Sequence, residues 1–157
     1  EIVVSVPDPY LDTSFRRRLR LSAGRLEDDF EILSDTRHSY HWIFHSPGTL
    51  ACSLNLETCS RMPGDRSDAN GYQHLRNLRR AMTDGSWWVR WELGGARMTI
   101  TVGAEPGTEV FVADVPGGRR YGNIPMVIVH RQCIRTVFRM VHSFDPPGAY
   151  SAPRNSQ

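Results

Sequence analysis

Residues 38–45 read His38-Ser39-Tyr40-His41-Trp42-Ile43-Phe44-His45, and Ser46-Pro47-Gly48 turns the chain immediately afterwards. Successive side chains of a β-strand point to opposite faces, and here an aromatic ring stands at every second position. The stretch therefore reads as a strand with Tyr40, Trp42 and Phe44 on one face, beside His38, and His41 and His45 on the other. A metal cage is the tempting alternative. At about 3.3 Å of rise per residue, however, His41 and His45 stand roughly 13 Å apart, too far to share one zinc through Zn–N bonds of about 2.0–2.1 Å. The octapeptide by itself supplies a packing face and two imidazoles, which suit structural or carbohydrate-contacting roles better than metal ligation.

Short β-rich runs recur along the rest of the chain, near residues 2–6, 15–21, 26–33, 50–54, 87–93, 98–102, 109–113, 126–131 and 136–143. Gly94-Gly95, Glu105-Pro106-Gly107 and Pro116-Gly117-Gly118 separate them with turn chemistry. Many short strands between such turns predict an all-β chain folded as a sandwich or a barrel, and an antiparallel β-sandwich is the fold expected. Residues 61–84 break the pattern: 62–71 form a polar loop, and 72–82 predict one short helix with Leu75, Leu78 and Met82 on its inner side. A loop of this length inside a compact domain is often functional. The expected organisation is one sandwich domain over 1–145 and a flexible tail over 146–157.

Strand 15–21 places Phe15, Arg17, Leu19 and Leu21 on one face and Arg16, Arg18 and Arg20 on the other. Three guanidiniums on one face can hold a polyanion. Paired with Glu27, Asp28 or Asp29 on the next strand they form a solvated outer face instead, and that pairing is favoured. All 19 basic residues are arginine, against 17 acidic ones. Without a basic stripe or a recognisable module, this bias points to genome composition rather than to nucleic acid. No apolar run reaches the ~18 residues of a membrane span. No signal peptide or initiator methionine opens the chain, so a mature or cut product is expected.

The standard catalytic signatures are missing, including the nucleophile elbow, the Walker loop, the dinucleotide fingerprint and the zincin helix. Asp28, Asp29 and Glu31 alternate faces, which makes a solvated acidic strand end a better reading than a glycosidase pair. Cys52 and Cys59 lie close enough for a local disulfide if the chain turns between them, and Cys133 has no obvious partner. Trp87 and Trp91 share one strand face and Trp88 takes the other, so at least one of these faces is core and an exposed one would be a sugar platform.

Segments 10–17, 26–32 and 38–48, followed by 72–78, 87–91, 98–102, Pro106-Gly107-Thr108-Glu109-Val110, 125–131 and 136–142, together resemble the C-terminal β-sandwich of the heparinase II/III-like polysaccharide lyases. The resemblance covers about residues 10–145. It implies the C-terminal part of a larger enzyme, preceded by an α/α-toroid, that cleaves acidic, uronate-containing polysaccharide by β-elimination. It also implies that the catalytic acid and base lie mainly on the missing portion, that any metal ion lies elsewhere in the full enzyme, and that the location is periplasmic or extracellular. His38 is the first candidate should this strand lend that metal a ligand. His41 stands where the family strand often carries an acid, and the Cys52/Cys59 pair is not a family feature. Arg16, Arg18, Tyr40, His41 and His45 are the residues expected to touch substrate. A carbohydrate-binding module without chemistry and an assembly domain joined through strand 2–6 are the alternatives.

Overall fold

The computed structural model describes residues 1–7, 9–10, 12–62 and 71–147. Ten strands alternate along them: β1 (Ile2–Val6), β2 (Thr13–Ser22), β3 (Arg25–His45), β4 (Thr49–Cys52), β5 (Glu57–Thr58), β6 (Arg76–Thr83), β7 (Trp87–Leu93), β8 (Ala96–Val102), β9 (Thr108–Pro116) and β10 (Asn123–Asp145). Every pairing is antiparallel. The all-β class expected from the alternation is what forms, and of the sandwich and the barrel it is the sandwich.

Two long strands organise it. β3 and β10 pair along their whole lengths, and β10 carries different partners on its other edge: β9 beside residues 123–130 and β8 beside residues 140–145. One layer thus runs β1-β2-β3-β10-β8-β7-β4, and the other leaves β10 through β9, β6 and β5. Cys133 pairs with His38 and Arg135 with Leu33, so residues 34–37 of β3 stand against Ile134 alone. A bulge of this kind bends the ribbon and adds twist. It lets the two layers close face to face on Trp87, Trp91, Ile100, Val112, Val129 and Phe138. Fully burying an aliphatic side chain of this kind contributes roughly 1.5–3 kcal/mol.

Two pairs of expected strands, 26–33 with 40–45 and 126–131 with 136–143, are therefore single strands that cross the bulge. The polar residues between them look like breaks locally, but pairing with the neighbouring strand keeps them extended. The Ser34 hydroxyl shares its one proton between Thr36 O at 2.7 Å and Ile134 O at 3.0 Å, and accepts from the Tyr40 hydroxyl at 2.7 Å. Buried Arg131 spans the inner side of the bend. Its Nε donates to Thr108 Oγ1 at 2.9 Å, and its Nη1 donates to Thr136 Oγ1 at 2.9 Å and Val137 O at 3.0 Å, with Phe138 stacked below.

The helix expected over 72–82 does not form. A single 3-10 turn (Tyr72–His74) leads into β6. Leu75 and Leu78 do share one face, packed with Met62, Phe111 and Ile128, because β6 is irregular between Arg76 and Arg79, whereas Met82, expected beside them, is exposed. Asn77 adopts φ 53° there and donates to Asp114 at 2.6 Å. Asn tolerates this left-handed conformation better than most residues. Residues 63–70 of the expected loop and 148–157 of the expected tail lie outside the described residues. The turn after β3 needs Gly48: its φ is 113°, and a Cβ there would meet Glu92 O at 2.3 Å.

The three cysteines are free thiols. Cys52 packs in the main core, whereas Cys59 joins a second cluster with Met62, Phe111 and Ile128 on the opposite face of the β9–β10 layer. A sheet separates the two sulfurs, so the local bridge does not form. Among the described residues, no helix is long and apolar enough to cross a membrane.

Candidate functional site

That second cluster sits beside a row of polar side chains. His130 on β10 pairs directly with His41 on β3 and with Glu109 on β9, which places three adjacent strands at one level. Their side chains share the outer face of the layer, and directly opposed residues in a sheet bring Cβ atoms within about 4.5–5.5 Å. The His41 and His130 rings meet edge to face at 4.9 Å, and His130 Nδ1 donates to Glu109 Oε2 at 2.7 Å. Arg80 closes the far end, its Nε 3.2 Å from Glu109 Oε1. At the near end the Tyr72 hydroxyl and His41 Nδ1 are hydrogen-bonded, supplied by the 3-10 turn that crosses over the face.

This arrangement shifts His41. Burial, reinforced by the neighbouring His130, pulls its pKa from 6.5 down to about 4, and Glu109 opposes the shift only in part. His41 is therefore a neutral imidazole at neutral pH, bonded to a phenol. Its Nε2 and that of His130 are both buried without a hydrogen-bond partner among the described residues. Leaving a buried polar atom unpaired costs about 1–3 kcal/mol, and such atoms cluster where a fold serves something besides stability. Glu109 and His130 line one side of a depression of about 290 Å³ shared with Arg37, Glu105 and Cys133. A phenol, two imidazoles and a carboxylate in a row can hold, accept or pass on a proton.

The residues expected to touch substrate do not gather at one place. His41 is in the row, and His45 is exposed two positions beyond Ile43 on the same strand. Tyr40 points to the opposite, inner face, bonded to Ser34. Arg16 and Arg18 lie across the bend, on the outer face of β2. There Arg18 bonds to Asp29, Arg20 reaches Glu27 at 3.3 Å, and Arg135 of β10 bonds to Glu31 at 2.6 Å. The favoured pairing thus holds for Arg18 and Arg20. Asp28 departs from the expected solvated acidic end: it is 1 % exposed on the inner face, where Arg17 donates to both its oxygens at 2.9 and 2.6 Å. Trp87 and Trp91 are core, which leaves Trp88 as the tryptophan on the outer face, under the Arg90 guanidinium.

His38 is held by hydrogen bonds of its own, apart from the row. Its Nε2 lies 2.8 Å from Asp12 Oδ2 and 3.0 Å from the Thr36 hydroxyl, and the bond from His38, with that donated by Thr36 at 2.8 Å, holds the Asp12 carboxyl down at about 2. Among the described residues no group of three His, Cys, Asp or Glu gathers as a metal site. Tyr72, Glu109 and His130 were not singled out as site residues in the sequence. Only His130, a histidine that directly ends the apolar run Met126-Val127-Ile128-Val129, carries a local signal. No known family model matches this chain, and neither does any curated protein.

Proposed function

We propose that this chain is the β-sandwich portion of a polysaccharide lyase that cleaves uronate-containing polysaccharide by β-elimination. The catalytic acid and base come mainly from a helical toroid portion or companion chain. One observation supports the reading more than any other. Four segments that carry the resemblance, 38–48, 72–78, 106–110 and 125–131, each send one side chain to the same row: His41, Tyr72, Glu109 and His130. Segments so far apart in sequence share a site only through the fold. Elimination needs a group to neutralise the uronate carboxylate, a base for the C5 proton and an acid for the leaving oxygen. In this reading the row faces the toroid and completes the substrate cleft, with His41 and His45 on the sugar side. Any metal ion belongs to the other portion.

The test measures release of the unsaturated uronate product from an acidic polysaccharide. The chain alone is expected to be inactive, and the chain combined with its helix-rich partner active. Tyr72→Phe and His130→Gln should each lower the activity of the pair at least tenfold with folding intact. Activity of the chain alone would overturn the division of labour, and an inactive pair would overturn the lyase reading.

A further inference from the structure

The arginine face does not belong to the histidine row, and its geometry gives it a role of its own. Arg18 of β2, Asp29 of β3 and Arg139 of β10 are direct cross-strand neighbours at one level. Arg16 stands opposite Glu31 at the next. These residues and Arg135 line a groove of about 300 Å³ on the outer face. A row of carboxylates thus runs between two rows of guanidiniums. Four positive groups face two negative ones, a surplus of two. The internal pairs account for the balance: Arg18 is bonded to Asp29 and Arg135 to Glu31. Arg16 and Arg139 are exposed and have no ion pair among the described residues. They lie two strands apart and two residues out of level, roughly 12 Å between Cα atoms at ordinary sheet spacings.

We propose that this groove is a binding site for carboxylated oligosaccharide, with Arg16 and Arg139 each taking one uronate carboxylate and Asp29 and Glu31 accepting from sugar hydroxyls. Guanidinium forks match carboxylates in two parallel hydrogen bonds. The central acids decide between polyanions. A sugar carries hydroxyl donors between its carboxylates and can use them. A DNA phosphate backbone carries no such donors, so it would lie against Asp29 and Glu31 at a cost. Among the described residues no aromatic ring lines the groove, so bases have nothing to stack on. The site binds without chemistry and does not depend on the elimination reading. Loss of groove binding with elimination by the pair intact, or the reverse, separates the two.

The experiment is titration calorimetry of the whole chain with an oligogalacturonate hexamer, neutral maltohexaose and a thymidine dodecamer. The galacturonate is expected to bind, more weakly as salt rises, and the neutral sugar not to bind. Arg16→Ser combined with Arg139→Ser should weaken binding on the order of tenfold or more. Arg119→Ser, which removes one exposed charge from the β9–β10 turn, should leave it unchanged. Circular dichroism should report the same fold for all three proteins. The proposal is overturned if the wild-type chain does not bind the hexamer, if maltohexaose or the dodecamer binds as well, or if Arg119→Ser weakens binding as much as the pair.

Discussion

His41 makes the stability of this protein depend on pH, with a sign that separates two forces. In the unfolded chain its imidazole titrates near 6.5, and in the fold burial and His130 lower that to about 4. A base whose folded pKa is depressed is protonated first in the unfolded state. Stability is therefore undiminished above about pH 6.5 and is lost as pH falls towards 4. Linkage over this shift gives about 2 kcal/mol at pH 5. His41 is only partly buried, and solvent screening reduces that to about 1 kcal/mol. For a domain of this size the loss is worth about 2–4 °C in melting temperature. His142 is also lowered by burial and adds a slope of the same sign, so the wild-type curve alone does not isolate His41. The assay is urea denaturation followed by tryptophan fluorescence at pH 7 and pH 5, on the wild type and on His41→Gln. The variant should lose about 1 kcal/mol less than the wild type between the two pH values. An equal loss would show that His41 is not held neutral. A larger loss in the variant would show that Glu109, which favours the charged imidazole, prevails over burial and His130.

Arg131→Met keeps the apolar volume at the bend but strips Val137 O of its donor and removes the cation above Phe138. It should destabilise by about 2–4 kcal/mol in urea unfolding, and an unchanged midpoint would mean that burying the guanidinium offsets its bonds. Trp87→Ala empties a site in the main core and should cost about 3–5 kcal/mol. Trp88→Ala, on the outer face, should cost less than about 1.5 kcal/mol, and equal losses by thermal unfolding would contradict the assignment of faces.

The role of the bulge explains how the fold could be read correctly in outline and wrongly in detail. Polar residues 34–37 look like the end of a strand because nothing within them alternates. They stay extended because β10 pairs with Leu33 and His38 on either side of them, β2 pairs with Ser34, and Ser34 and Tyr40 tie the bend. The expected helix at 72–82 failed for a related reason. A spacing of three between Leu75 and Leu78 fits a helix, and it fits equally a strand whose parity is reset at Asn77.

Alternation is local: consecutive residues of an extended chain must face opposite ways, whatever they pack against. For that reason the sequence by itself determined the all-β class, the division of β2 into an arginine face and an apolar face, and the separation of Trp87 and Trp91 from Trp88. It also put His41 and Tyr40 on opposite sides of one strand. Register between strands far apart in the chain is not local. It is set by the bulge and by the packing of two layers on a common core. Only the tertiary structure could decide that His41 meets His130 and Glu109 beneath Tyr72, that Cys52 and Cys59 lie on opposite faces of a sheet, and that Arg16 and Arg139 have no ion pair among the described residues across one groove.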